Sequence, residues 1–139
     1  MRFMMLMIPT RIDRAEDWQP SADDVAAMMQ YNEKLTRSGV LLALDGLRHV
    51  SEGARVSHRG GQTTVTDGPF AEASEVVGGY WVIQTASKDE AVEWAKRCPL
   101  GEGDTIEVRQ IFEMEDFPED VQAAAGELSK EPPEQPLER

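Results

Sequence analysis

Residues 78–85 have the sequence Gly-Gly-Tyr-Trp-Val-Ile-Gln-Thr, and the fold is predicted outward from this stretch. It is rich in aromatic and β-branched residues, which favour a central strand of a sheet. A helix is predicted directly after it, because Ser87 and Glu90 have the spacing of a capping box. That helix carries one apolar stripe at i, i+3, i+4 and i+7, formed by Ala91, Trp94, Ala95 and Cys98.

The N-terminal part of the chain repeats this strand-and-helix pattern. The short apolar run over residues 2–8 predicts a buried strand, and a loop follows from Pro9 to Pro20. A helix is predicted from Ser21 to Ser38, with Ser21 and Asp24 at its start and Gly39 as its stop. Its apolar stripe is predicted to contain Val25, Met28, Met29 and Leu35.

The remaining elements complete a recognisable order. Strands are predicted over residues 40–44 and 105–112, and residues 54–58 and 63–66 flank a glycine-centred hairpin turn. Without that hairpin the order is βαββαβ, so we predict an α+β, ferredoxin-like fold with an inserted β-hairpin. Two helices cover one face of the sheet. The other face carries enough apolar side chains to need a partner, which predicts a homodimer.

Composition limits the function classes. The chain has 139 residues and a net charge of −12, which argues against nucleic acid or an anionic membrane surface as a partner. No apolar run approaches the roughly 18 residues of a membrane span. The single cysteine, Cys98, excludes an intrachain disulfide and favours a reducing, cytoplasmic location. We predict one domain over residues 1–117 and an acidic, proline-rich tail over 118–139, either an interaction arm or a solubilising extension.

The turn after the hairpin is the most distinctive local motif. Residues 66–72 read Thr-Asp-Gly-Pro-Phe-Ala-Glu, and the Gly-Pro pair restricts the backbone beside Asp67. A carboxylate held in one place beside an apolar ring can serve as a general acid or base if burial raises its pKa. The alternative is that the Asp67 side chain caps its own turn.

Several separated motifs carry a family resemblance. They are Gly39–Leu42, Gly46-Leu47, Thr66–Glu72, Gly79–Trp81, Glu93–Pro99 and Ile106–Glu113. Over about residues 1–117 the chain resembles the YCII-related proteins, specifically the bacterial branch named for its Asp-Gly-Pro-Phe (DGPF) motif. The resemblance implies a dimeric α/β barrel, in which two ferredoxin-like subunits pack sheet against sheet.

The same resemblance implies little about chemistry. Most members have no established activity, although many carry a His and an Asp near a cleft, and gene neighbours of the branch hint at stress regulation. The Asp corresponds to Asp67. No His is present at the expected place on the first helix, which has Met28-Met29-Gln30-Tyr31, and Arg48-His49 stand where the branch often has His-Pro.

The candidate site residues each have two interpretations. Asp67 and His49 are candidate acid–base groups, but His49 could be an exposed loop residue. Arg48 and Arg109 could hold a substrate carboxylate or form ion pairs across the sheet. Tyr31 and Trp81 could line the cleft or belong to the core.

Two function classes remain open at this point. One is a small, cofactor-independent enzyme acting on a small anionic substrate near Asp67. The other is a non-catalytic ligand-binding or regulatory protein that uses the same cleft. No spacing of His, Cys or carboxylate residues predicts a metal site, and we predict no cofactor.

Overall fold

The computed structural model describes residues 1–10, 19–70 and 75–128. Its strands are β1 (Arg2–Ile8), β2 (Leu41–Gly46), β3 (Ala54–Arg59), β4 (Gln62–Asp67), β5 (Gly79–Gln84) and β6 (Thr105–Gln110). Its α-helices are α1 (Ala22–Arg37), α2 (Lys88–Lys96) and α3 (Glu119–Leu128), and short 3₁₀ turns span Val50–Glu52 and Met114–Asp116. The loop residue Trp18, the end of the 66–72 motif and the proline-rich end of the tail lie outside the described residues.

The main sheet has the strand order β2-β5-β1-β6, and all of its neighbouring strands are antiparallel. With β3 and β4 set aside, this is the order expected for βαββαβ connectivity. The predicted ferredoxin-like α+β fold is therefore confirmed.

Local capping explains where the helices begin and end. The Ser21 hydroxyl accepts a hydrogen bond from the Asp24 amide at 3.1 Å, and the Ser87 hydroxyl accepts from the Glu90 amide at 3.2 Å. Each bond satisfies one of the amides that a helix start leaves without a partner. Helix α1 stops before Gly39, whose φ of 73° lies in the left-handed region that favours glycine. These predicted boundaries are confirmed.

The core lies between the helices and one face of the sheet. Its fully buried residues include Phe3, Met5, Leu35 and Ile83, and Tyr31, Trp81, Ala91 and Cys98 complete it. The predicted stripe of α1 is partly wrong, because Val25 and Met29 are exposed. The buried stripe is Met28, Tyr31 and Leu35, since the helix turns Val25 and Met29 away from the sheet.

Cys98 is buried at the end of α2, as its place on the apolar stripe predicts. Burial, and secondarily the nearby Asp104 charge, raise the pKa of its thiol to about 12. The thiolate that reacts with oxidants or binds metals is thus disfavoured, and Cys98 acts as a small apolar core residue.

Among the described residues, no strand residue on the opposite face of the sheet is buried, and we call this side the open face. Alternation along the strands places on it a central group of half-buried side chains, which are Met4, Leu6, Tyr80 and Val82. Direct cross-strand neighbours on this face are Met4 with Val82 and Leu6 with Tyr80. Charged residues of the edge strand β6, Glu107 and Arg109, lie beside this group.

Strands β3 and β4 form a separate two-stranded ribbon, the hairpin arm. Gly60 and Gly61 connect its strands and both have positive φ, 56° and 77°, as a type I′ turn requires. All residues of both strands are exposed. Of the helices in the described part of the chain, none is long and apolar enough to cross a membrane.

Candidate functional site

The Asp67 motif closes the base of the hairpin arm. Asp67 is the last residue of β4 and pairs with Ala54, the first residue of β3. The next amide, that of Gly68, donates to the Gly53 carbonyl at 2.9 Å, and the Gly68–Pro69 peptide bond is cis. The Arg55 guanidinium lies over the Phe70 ring, 4.0 Å from its centre, a favourable cation–π geometry. The motif therefore joins both ends of the arm to the 3₁₀ turn before it.

Gly68 is the tightest point of this junction. A Cβ atom at Gly68 would lie 1.8 Å from the Val50 carbonyl oxygen and 2.9 Å from its carbon. Real Cβ atoms do not approach backbone atoms so closely, so only glycine fits here without movement of the backbone. The glycine of the motif thus has a packing role at the contact between the arm and residues 50–53.

The Asp67 carboxylate is exposed to solvent. It makes no hydrogen bond or ion pair with residues 1–10, 19–70 or 75–128. Within those ranges, therefore, no hydrogen bond supports a turn-capping role for this carboxylate. The burial that the catalytic interpretation requires is not seen at Asp67 within those ranges. The role predicted for Asp67 stays a prediction.

His49 and Arg48 form local contacts beside this junction. The Nδ1 atom of His49 accepts from the Ser51 amide at 3.1 Å and lies 2.9 Å from the Ser51 hydroxyl, so the ring caps the 3₁₀ turn. Arg48 binds Glu52 through both ends of its guanidinium, with Nε–Oε2 and Nη2–Oε1 distances of 2.9 Å each. The ion pair of Arg48 is therefore local along the chain, and it does not cross the sheet.

Tyr31 and Trp81 lie in the core between α1 and the sheet. The Tyr31 hydroxyl donates to the Trp94 carbonyl at 2.8 Å, and the Trp81 indole N–H donates to Asn32 Oδ1 at 2.9 Å. Their rings meet edge to face with centres 5.9 Å apart. Burial, with a smaller effect of Cys98, raises the pKa of Tyr31 and keeps its hydroxyl neutral. Both polar groups are thus satisfied inside the subunit.

Arg109 lies on the open face, on the side of the sheet opposite Trp81. It is paired across the strands with Met4, and Met4 is paired in turn with Val82. Arg109 is exposed, and within the described ranges its guanidinium makes no ion pair or hydrogen bond. It is the one predicted site residue with a free cationic group and apolar neighbours.

The predicted site residues therefore fall into three places. Tyr31 and Trp81 belong to the helix-covered face, and Arg109 belongs to the open face. Asp67, His49 and Arg48 belong to the segment that leads into and out of the hairpin arm. Alternation along the strands separates Arg109 from Trp81, because it divides the two sides of a sheet. A cleft shared by Asp67, Tyr31 and Trp81 stays a prediction.

Two open-face residues were not predicted as site residues. The Tyr80 hydroxyl donates to Asp45 Oδ2 at 2.7 Å across neighbouring strands, and this bond raises the pKa of Tyr80. Strand alternation could have predicted the place of Tyr80, because a buried Trp81 puts its neighbour Tyr80 on the other face of the same strand. The Tyr80–Asp45 pair therefore lies on the same face of the sheet as Arg109.

No cluster of metal ligands marks a site among the described residues. They contain no group of three or more His, Cys, Asp or Glu that could hold a metal ion. A crevice of about 460 Å³ separates α1 from residues 99–104, and its lining is mainly apolar, including Met7, Met28 and Leu100. None of the six predicted site residues lines this crevice.

The fold and the open face define a ferredoxin-like subunit whose uncovered sheet carries apolar and charged side chains. The sequence matches the family model of the YCII-related domain over residues 1–115, and the chain belongs to the YCII-related family. An uncharacterized protein of Rhizobium meliloti (strain 1021) is 32% identical over 81 residues, which is 57% of this chain. The match spans 65% of that relative's length. The family resemblance is confirmed, and the placement in the DGPF branch stays a prediction.

Proposed function

We propose that the protein is a homodimeric binding protein for a small anionic ligand, with Arg109 as the group that holds the anion. In this arrangement two copies pack through their open faces, and the ligand lies between the sheets beside Arg109. The proposal takes the non-catalytic interpretation of this YCII-related chain. The observation that carries it is the guanidinium of Arg109, which has no partner among the described residues and lies on the face that the dimer would cover.

Apolar packing supports the dimer. Met4, Leu6 and Val82 lie together on the open face and are only half-buried. Burying apolar surface contributes about 25 cal/mol per Å², so a second sheet placed over this group is favoured. A second copy has the same apolar side chains on its own open face. The contact between the two copies is therefore self-complementary, as a two-fold axis requires.

Electrostatics support the ligand. A sheet packed over Met4 and Val82 removes water from Arg109, and an unpaired charge out of water costs several kcal/mol. An anion bound to the guanidinium relieves this cost, and a carboxylate or phosphate fits its fork through two parallel hydrogen bonds. Glu107 also lies on the open face, so Glu107 of the second copy could pair with Arg109 in place of a ligand anion.

We expect Val82→Arg to convert the protein from dimer to monomer. The added charge would be buried near the centre of the interface, where it has no partner. Size-exclusion chromatography with light scattering measures the mass directly. The matched control is Met29→Arg on α1, where Met29 is 62% exposed on the other side of the subunit, and this variant should stay dimeric. A monomeric wild-type protein, or a dimeric Val82→Arg, contradicts the proposed dimer.

We expect small anions to stabilise the wild-type dimer and to lose this effect in Arg109→Gln. A ligand at 100 times its Kd adds about 2.7 kcal/mol to the stability, which a thermal shift detects. The probes are inorganic phosphate and a panel of small carboxylic acids, followed by titration calorimetry of any that bind. Arg109→Lys keeps the charge without the fork and should retain part of the affinity.

Three results would overturn the ligand proposal. The first is a wild-type dimer that none of these anions stabilises, and the second is an Arg109→Gln variant that responds as wild type does. The third is loss of the dimer in both Arg109→Gln and Glu107→Gln, which would assign Arg109 to an ion pair between subunits. Acid–base catalysis remains the alternative. Turnover of a bound anion that Asp67→Asn abolishes, while binding is retained, would favour it.

A further inference from the structure

The hairpin arm is the most exposed regular structure in the described part of the chain. Each strand has six residues, so the arm extends about 20 Å from its base. Val56 and Val65 are direct cross-strand partners on one face, and they are 60% and 65% exposed. A two-stranded hairpin with nothing packed on it is at best marginally stable in water. Among the described residues, the arm therefore lacks the cover that its valine pair needs.

The base of the arm is held firmly, in contrast to its strands. The Gly68 amide bonds to the Gly53 carbonyl, and Arg55 stacks on Phe70. These contacts fix the base of the arm, which follows the end of β2 along the chain. Because β2 is an edge strand of the sheet, the arm follows the edge opposite β6.

The charge of the arm indicates what would cover it. Residues 54–67 contain Arg55 and Arg59 and a single acid, Asp67, whereas the whole chain has a net charge of −12. Arg59, near the tip, has no ion pair within the described ranges. The other edge strand, β6, carries Glu107 on the open face, and Glu102 is exposed just before it. A cationic arm is thus complementary to another copy of this acidic chain.

Symmetry brings these two regions together. When two sheets pack face to face about a two-fold axis parallel to their strands, the β2 edge of one lies over the β6 edge of the other. The arm that follows β2 then projects past the partner near the start of β6. We infer that the hairpin arm of one subunit docks on the β6 edge of a second copy through Val56 and Val65. Arg59 lies near the tip on the opposite face of the arm, and its charge attracts the arm to the acids of that copy.

This inference rests on the proposed dimer, and its test separates the two. We expect Val56→Thr/Val65→Thr, which keeps the shape but removes apolar contact, to raise the dimer Kd by about tenfold or more. Thr64→Ser on the other face of the arm is the matched control and should leave the Kd unchanged. Arg59→Glu should also weaken the dimer, and more so at low salt than at high salt. Sedimentation equilibrium measures each Kd.

Hydrogen exchange provides a second readout that does not depend on arm variants. Amides of residues 54–67 should exchange about tenfold faster in the monomeric Val82→Arg variant than in the wild-type dimer, because the arm loses its cover. Amides of α2 serve as the internal control and should not change. If Val82→Arg is monomeric but the arm variants keep the wild-type Kd, or the arm amides exchange equally in both states, the arm inference is wrong and the dimer stands. A monomeric wild-type protein overturns both.

Discussion

Replacing Gly68 with alanine is expected to destabilise the protein by about 3 kcal/mol, in the upper part of the range for overpacking. The new Cβ would lie 1.8 Å from the Val50 carbonyl oxygen, so the backbone of the turn or of the 3₁₀ segment must move. That movement would also strain the bond from the Gly68 amide to Gly53. Thermal unfolding at a fixed protein concentration should show a loss of roughly 10 °C in Tm.

The control for this substitution is Gly46→Ala at the end of β2, where a Cβ meets nothing within 4 Å. It should change the free energy of unfolding by no more than about 0.5 kcal/mol. If the arm opens locally instead of the whole subunit losing stability, hydrogen exchange at residues 54–67 will report it. Gly68→Ala with wild-type Tm and wild-type exchange in the arm would show that the contact with Val50 is unimportant.

Leu35→Ala is expected to cost about 3 kcal/mol, within the range of 2–5 kcal/mol for removing a fully buried leucine side chain. Leu35 is 0% exposed and belongs to the core cluster that contains Phe3 and Ile83. Its loss leaves a cavity between α1 and the sheet, because the backbone of both elements is held by regular hydrogen bonds and cannot collapse freely. Urea unfolding should show a lower midpoint with an unchanged m-value.

Met29→Ala on the same helix is the matched control, since Met29 is 62% exposed and its truncation opens no cavity. Its effect should stay within about 0.5 kcal/mol. Equal losses for the two variants would mean that the orientation of α1 is different from the one described here. Both measurements need the same protein concentration, because dimer formation adds to the apparent stability.

The elements that sequence reasoning predicted well follow local rules. Ser21 and Ser87 cap their helices as predicted, and Gly39 ends α1. The buried strand around Trp81 follows from aromatic and β-branched composition. Such rules use only neighbours along the chain, so one sequence is enough to apply them.

The candidate site was predicted less completely, because its residues are related through space. A short 3₁₀ turn brings Arg48 to Glu52 and lets His49 form its cap. No pattern in the sequence predicted this turn. Tyr31 has a buried hydroxyl only because the Trp94 carbonyl lies opposite it. The roles assigned to Asp67 and Arg109 stay predictions that the binding and dimer experiments can test.

By itself, the sequence determined the order of strands and helices, the helix boundaries and the resemblance to the YCII-related family. Periodicity, capping and the placement of glycine or proline are local patterns, and they can be recognised without knowledge of the fold. Only the tertiary structure decided that Trp81 and Arg109 lie on opposite sides of one sheet. It also decided that Gly68, at the base of the hairpin arm, lies against the Val50 carbonyl. Both facts depend on strand pairing between distant segments, which no local rule contains.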